Sequence, residues 1–176
     1  MHSKLKELIL YVAAQSMNDP TFGSIKMNRI LFLIDFTAFG IWGKPVTENV
    51  YIHQKSGPVP RDLLTARTEL IEDKSAVLQE SEFFGHTQRR LIALRRPDLS
   101  VFTEAERRLI DNGLDSLKFQ DEIAQSQWLR RLIPWLETET GEEIPFFSTF
   151  VLEENAVDQD DLAWAKAEIA KLRSEA

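Results

Sequence analysis

The side chains that most often catalyse reactions or hold metal ions are few in this sequence and lie far apart. The three histidines are His2, His53 and His86, and none has a second ligand residue three or four positions further on, as helical zinc sites do. The absence of cysteine excludes thiolate metal sites and disulfides. The sequence also has no nucleophile elbow and no glycine-rich phosphate loop. We therefore predict a protein that is not an enzyme and has no cofactor or metal, while a site assembled from distant residues stays open.

The bulk composition indicates one domain with a substantial core. At 43% hydrophobic residues, a chain of 176 residues can bury enough apolar surface to fold without help. The net charge is -7, and residues 132–165 hold nine acidic residues but no lysine or arginine. This acidic third disfavours general phosphate binding, and it is either a solvated surface or a face for a basic protein partner. With no secretory signal pattern and no bilayer-length apolar stretch, we expect a cytoplasmic protein without a membrane partner.

Hydrophobic periodicity predicts an α+β, mainly helical domain over residues 1–176: a helical bundle around a buried central helix, with a small antiparallel β-sheet or hairpin. The predicted helices cover residues 3–17, 25–41, 60–71, 104–118, 120–133 and an appended 159–173. Extended segments are expected over residues 46–54, 76–84 and 88–95, the last two joined as a hairpin around Gly85. Ser24 is the expected N-cap of the second helix, and Thr103 with Glu106 forms a capping box before the helix at 104–118.

The predicted central helix, residues 25–41, is apolar nearly all round and should be buried. Its polar exceptions, Lys26, Asn28, Arg29 and Asp35, then need partners, because an unpaired buried charge is costly. Two arrangements stay open. Either the four side chains line one edge of the helix, or they form a small internal network.

A proline-rich run, residues 57–60, follows the first extended segment. Pro58 and Pro60 restrict the residues before them, and Pro60 suits the first position of a helix. The run is interpreted as a rigid corner between strand and helix, with a contact edge for a partner as the alternative. The helix that follows should present its apolar side chains and one arginine inward: Leu63, Leu64, Arg67, Leu70 and Ile71.

Arginines cluster in and after the predicted hairpin, and they suggest a second function. These are Arg89, Arg90, Arg95, Arg96, Arg107 and Arg108. A winged-helix-like DNA-binding regulator would use such a wing on phosphates and place the preceding helix in the major groove. Residues 60–73, however, carry four acidic and two basic residues, which suits DNA poorly. Arginines at strand edges also prevent edge-to-edge pairing, so nucleic-acid binding is the alternative.

A dense apolar segment follows the Gly-Glu-Glu turn at residues 141–143. Packing into the core is the default for Ile144, Phe146, Phe147 and Phe150. If some of them stay exposed beside the acidic run, an apolar centre with a charged rim results, which is how protein interfaces are built. The segment is therefore a candidate contact surface for a partner protein.

The order and spacing of several motifs resemble one known family. The segments that match run from Lys26 to Phe36, from Gly43 to Thr47, through Tyr51 and from Ser56 to Arg61, with later pieces up to residue 151. The chain is similar to the Panacea domain, typified by SocA-like antitoxins and phage-associated proteins. The residues that carry the resemblance are Lys26, Asn28, Asp35, Tyr51, Gly57, Pro58, Val59, Pro60, Arg61, Glu143 and Pro145.

The resemblance implies an antitoxin that binds and neutralises a separate toxin, and in the namesake case also an adaptor that hands the toxin to a protease. Toxins across the family look varied, so the resemblance does not identify the partner. One departure is visible. Where relatives often carry a Ser-His pair before a tryptophan, this chain has Ser126 and Trp128 without a histidine.

Overall fold

Four α-helices and five β-strands form the part of the chain that the computed structural model describes, residues 3–83, 85–117 and 138–147. The helices are α1 (Ser3–Gln15), α2 (Ser24–Trp42), α3 (Leu63–Glu72) and α4 (Glu104–Leu117), with a 3₁₀ turn at Leu99–Val101. The strands are β1 (Tyr51–Gln54), β2 (Gly57–Pro60), β3 (Ala76–Phe83), β4 (His86–Ala93) and β5 (Glu143–Ile144). This arrangement confirms the predicted mainly helical α+β class. The predicted helices at 120–133 and 159–173 lie outside the described residues.

The central helix is α2, as predicted, because its apolar side chains face neighbours in almost every direction. It packs against α1, α4, β2 and β4, and Ile30, Leu31 and Ile34 are almost completely buried. Gly43 ends the helix with a left-handed backbone (φ 71°), a conformation that costs glycine little, and its N–H donates to the Phe39 carbonyl. At the other end Gly23, rather than Ser24, is the N-cap residue. The Ser24 hydroxyl donates instead to the carbonyl of Arg89 in β4.

A three-stranded antiparallel sheet of order β2-β1-β5 packs beside α2. Tyr51 of β1 lies opposite Pro60 on one side and Ile144 on the other. The Arg61 N–H donates to the Val50 carbonyl at 2.9 Å, so alternate residues of β2 bond to β1 and both prolines occupy the positions between. Proline has no N–H, so neither proline offers a donor at the outer side of β2, an edge strand in the described sheet.

The structure corrects the predicted start and inner face of α3. Pro60 closes β2 instead of opening the helix, which begins at Leu63 after Asp62. Ala66 and Leu70 are its buried residues. The predicted inward-facing Leu64 and Ile71 are 64% and 37% exposed, so this part of the prediction is wrong.

The β3–β4 hairpin lies where the sequence predicts it. Its ladder runs from Ala76 opposite Ala93 to Phe83 opposite His86, and Gly85 adopts a left-handed backbone in the turn (φ 78°). The hairpin packs on α1. The predicted capping box of α4 is also confirmed by the reciprocal hydrogen bonds of Thr103 and Glu106.

Candidate functional site

Asp35 is the polar centre of the region where most of the resemblance residues meet. Its side chain is completely buried in α2. One carboxylate oxygen accepts from the Thr47 N–H at 2.9 Å, and the other accepts from the hydroxyl groups of Thr47 and Tyr51, the latter at 2.9 Å. Asp35 therefore ties α2 both to the loop after it and to the first residue of β1, the middle strand of the sheet.

The environment of this network alters the acidity of both ionisable groups. Burial raises the pKa of Asp35 to about 6, although hydrogen bonds from Thr47 and Tyr51 oppose the shift. Burial also raises the pKa of Tyr51 well above its ordinary value, and the adjacent Asp35 carboxylate adds to this. Tyr51 therefore remains a neutral donor at neutral pH. The arrangement is that of a structural clamp rather than of an acid–base pair facing a substrate.

Lys26 belongs to a second, separate network at the start of α2. Its ammonium group lies 2.6 Å from the Asp19 carboxylate, and both side chains are almost fully buried. Lys26 also donates to the Thr21 hydroxyl at 2.9 Å, and Thr21 in turn donates to Asp19. Burial would raise the pKa of Asp19, but the hydrogen bonds from Lys26 and Thr21 keep it below its usual value. Of the two arrangements expected from sequence, Lys26 and Asp35 follow the internal one, but in two separate networks. The turn before α2 supplies the partners of Lys26, and the chain after α2 supplies those of Asp35.

Asn28 of α2 faces a different environment. Its amide oxygen is buried and has no hydrogen-bond partner among the residues that the structure describes. It lines a small cavity of about 20 Å³ together with Ser24 and Arg67. A cavity of that size accommodates one water molecule.

The remaining resemblance residues lie on the three-stranded sheet. Gly57, Pro58 and Pro60 are buried in β2, whereas Val59 is only partly buried. Arg61, just after β2, forms an ion pair of 2.6 Å with Glu143 of β5, and both side chains are about half exposed. The pair spans the sheet across β1. The partly buried Pro145 directly follows β5.

The structure places some of the candidate partner-contact residues in the core and one at the surface. Ile144 is 1% exposed, and the Phe146 ring packs against Phe36 and Phe39 at centroid distances of 4.5 and 5.2 Å. These two residues therefore belong to the core, and the interpretation of them as contact residues is corrected. Phe147 is 68% exposed and remains available to a partner. Phe150 lies outside the described residues.

Most of the clustered arginines are occupied by contacts within the protein. Arg89 forms an ion pair with Glu80 on the neighbouring strand, and Arg108 pairs with Glu104. The Arg95 guanidinium group donates one hydrogen bond to each carboxylate oxygen of Glu7 in α1, at 2.6 and 2.8 Å. Guanidinium groups held by carboxylates are poorly placed to neutralise phosphates. The geometry thus weakens the nucleic-acid alternative, although the hairpin itself exists.

Sequence reasoning missed an open apolar surface at the end of α2. Ile41 is 63% exposed and Trp42 38%, and both line a groove of about 380 Å³ between α2 and α4. Gly113 of α4 lines this groove and allows α2 and α4 to approach closely, because a Cβ atom there would lie only 2.8 Å from Ile34 Cγ1. The apolar residues on all sides of α2 were the sequence signal that could have indicated this surface, since the neighbouring elements do not cover every face of such a helix.

The described residues give little support to a metal site, a catalytic histidine or a membrane-spanning helix. They contain no group of three or more histidine, aspartate or glutamate side chains that could hold a metal ion. Nδ1 of His53 lies 3.0 Å from the Thr138 hydroxyl, and burial lowers the pKa of this histidine. None of the described helices combines the length and the hydrophobicity needed to span a lipid bilayer.

Comparison with known families supports the resemblance over a shorter range than residues 25–151, and Lys26, Glu143 and Pro145 lie outside the matched segment. No curated protein and no solved structure matches the chain. A family model described as antitoxin SocA-like, Panacea domain, matches residues 27–132, which is more than half of the chain. The matched segment contains most of α2, the strands β1 and β2, the hairpin and α4. The chain therefore belongs to the SocA-like antitoxin family of Panacea domains.

Proposed function

We propose that this protein is an antitoxin, which binds a cognate toxin protein and neutralises it. The observation that carries the proposal is the family match over residues 27–132. The structure supports a binding role, because the resemblance residues build a rigid platform instead of a reaction centre. Asp35 and Tyr51 lock the sheet to α2, and Arg61 and Glu143 connect its two outer strands.

The surface proposed for toxin contact surrounds Phe147. This ring is mostly exposed while its neighbour Phe146 is anchored against the core, so the exposed side chain projects from a fixed base. The half-exposed ion pair of Arg61 and Glu143 lies in the adjoining sheet. An exposed aromatic anchor with charged groups nearby is the composition found at the centre and rim of protein interfaces.

Co-expression with the product of the neighbouring reading frame tests this proposal. We expect that frame to encode a small toxic protein whose growth defect disappears when this protein is present. The two proteins should also co-purify. Growth that is not restored by an abundant, folded antitoxin would refute the proposal.

Delivery of the bound toxin to a protease extends the same proposal. If it occurs, the toxin should disappear faster in cells that contain this protein, and the faster loss should depend on a cellular protease. An unchanged toxin half-life together with restored growth would leave direct neutralisation as the whole function.

The winged-helix-like DNA-binding regulator is the second candidate, and the two arginines in the β3–β4 hairpin with two more directly after it favour this function. The ion pairs of Arg89 and Arg95 count against it. A mobility-shift experiment on the protein's own promoter distinguishes the two functions. Absence of retardation at low salt would exclude DNA binding.

A further inference from the structure

A second open pocket lies where the C-terminal end of α1 meets the end of β4. It has a volume of about 290 Å³, and its apolar lining includes Ala13, Met17, Ile92 and Leu94. We call this the α1–β4 pocket. It shares no residue with the surface around Phe147 or with the α2–α4 groove.

Two large apolar side chains at this pocket are left in contact with solvent. Met17 is 63% exposed and Leu94 is 59% exposed. Both extend beyond the regular elements, because α1 ends at Gln15 and β4 at Ala93. The backbone around Leu94 is nevertheless fixed, since its N–H donates to the Ser75 carbonyl at 2.8 Å. Adjacent exposed apolar side chains on an ordered backbone are typical of a contact surface.

The charge around the α1–β4 pocket is positive. Two arginines, Arg95 and Arg96, line it, and no acidic residue does. Arg95 is neutralised by Glu7. Arg96 is exposed and has no carboxylate within ion-pair distance among the residues that the structure describes. Of these two guanidinium groups, that of Arg96 thus lacks an acidic partner.

We propose that the α1–β4 pocket binds an acidic segment of a partner polypeptide, with one large apolar side chain inserted between Met17 and Leu94 and its carboxylates facing Arg96. Charge complementarity selects this occupant, because the rim is cationic and the floor is apolar. The volume is below the usual range for drug-sized ligands and suits a single side chain. A nucleic acid fits less well, since its phosphates would leave the aliphatic floor uncovered. The inference goes beyond toxin neutralisation and requires no toxin for its test.

A labelled peptide with two carboxylate residues on each side of a Leu-Phe pair, added to the full-length protein, tests the proposal. We expect fluorescence anisotropy to report saturable binding that weakens as salt is added. Leu94→Gln and Arg96→Gln should each weaken this binding about tenfold, because the first removes an apolar contact and the second removes the positive charge that faces the carboxylates. Leu64→Gln on α3 and Arg89→Gln on β4 are the matched controls and should bind normally. All four side chains are exposed, so circular dichroism should show unchanged folding.

Several results would overturn the proposal. These are no anisotropy change with the wild-type protein, equal binding of a peptide with lysines in place of the carboxylates, or unchanged binding by Leu94→Gln and Arg96→Gln. Salt-sensitive binding of a single-stranded oligonucleotide that the same two variants abolish would assign the surface to nucleic acid instead. A concentration-dependent dimer that Leu94→Gln dissolves would assign it to a second copy of the chain.

Discussion

The hydroxyl group of Tyr51 donates to the carboxylate of Asp35 at 2.9 Å, within a pair of completely buried side chains. Sixteen positions separate the two residues along the chain. The bond joins the central helix α2 to the middle strand of the three-stranded sheet. Because Phe147 follows closely after β5 of that sheet, the position of the proposed toxin-contact surface depends on this buried contact.

Removing the Tyr51 hydroxyl should destabilise the protein. Tyr51→Phe takes one donor from a buried carboxylate, and leaving such a group less satisfied costs about 1–3 kcal/mol. The control is Tyr11→Phe, because the Tyr11 hydroxyl donates to Asp111 at 2.5 Å at an exposed position. We expect that variant to change stability by less than about 0.5 kcal/mol. Urea denaturation measures both, and equal losses would contradict the importance of the buried bond.

The titration of Asp35 should lower the free energy of unfolding as the pH rises from about 4 to about 6. Its pKa is about 6 in the folded protein and lies near its ordinary value of 3.8 in the unfolded chain. Between these values the unfolded chain has released the proton that the folded protein still holds, so increasing pH favours unfolding. The shift corresponds to a loss on the order of 3 kcal/mol, complete above the folded pKa.

The Asp35→Asn variant isolates this effect from other titrating groups. Glu7 and Glu106 have lowered pKa values and therefore stabilise the protein as the pH rises, which opposes Asp35. The stability difference between wild type and Asp35→Asn should consequently change across pH 4 to 6, as followed by denaturation at each pH. Glu104→Gln, an exposed control, should give a curve parallel to wild type. Parallel curves for Asp35→Asn would disprove the assignment.

Loss of one partner of the buried Lys26–Asp19 ion pair should strongly destabilise the protein. Lys26→Met leaves the Asp19 carboxylate without its cation, at an expected cost of about 3–5 kcal/mol. Adding Asp19→Asn should restore part of the loss, because the uncompensated charge is then removed. The matched control is Lys6→Met at the more exposed Lys6–Glu69 pair, where we expect less than about 1 kcal/mol. A similar effect at both pairs would show that burial is not the cause.

Features set by neighbouring residues were predictable from sequence. The apolar pattern of α2, the hairpin turn at Gly85 and the capping box of Thr103 and Glu106 each depend on contacts a few positions apart. The inner face of α3 was less accessible. The prediction followed the large Leu64, whereas the buried stripe includes Ala66, whose small side chain gives a weak hydrophobic signal.

Features that depend on distant residues were not predictable in this way. The strand β5 has only two residues, too few for an alternating pattern, and it pairs with a strand about ninety positions earlier. For the same reason the prolines of residues 57–60 were assigned to a corner, because their role as edge-strand residues depends on the pairing with β1. Thr47, which binds Asp35, and Asp19, which binds Lys26, likewise lie in loops whose path no local pattern specifies.

Gly113 should be essential for the close approach of α2 and α4. In Gly113→Ala the added methyl group meets Ile34 Cγ1 at 2.8 Å, and such overpacking costs about 1–3 kcal/mol. The better helix propensity of alanine returns about 1 kcal/mol, so we expect a smaller net loss. Asn112→Ala, at the exposed neighbouring position, gains propensity without a clash and should be neutral or stabilising. Thermal unfolding compares them, and a stabilised Gly113→Ala protein would contradict the packing.

Phe147 should contribute to toxin binding without contributing to folding. Its ring is 68% exposed, so Phe147→Asp removes little buried surface and should leave the unfolding transition within about 0.5 kcal/mol of wild type. At an interface, replacing an aromatic anchor by a carboxylate typically costs at least about 2 kcal/mol, so growth rescue and co-purification with the toxin should both fail. Leu64→Asp, 64% exposed on α3, is the control and should rescue normally. If folded Phe147→Asp protein still rescues growth, the toxin contacts another surface. If the variant unfolds, Phe147 belongs functionally to the core, as its neighbour Phe146 does.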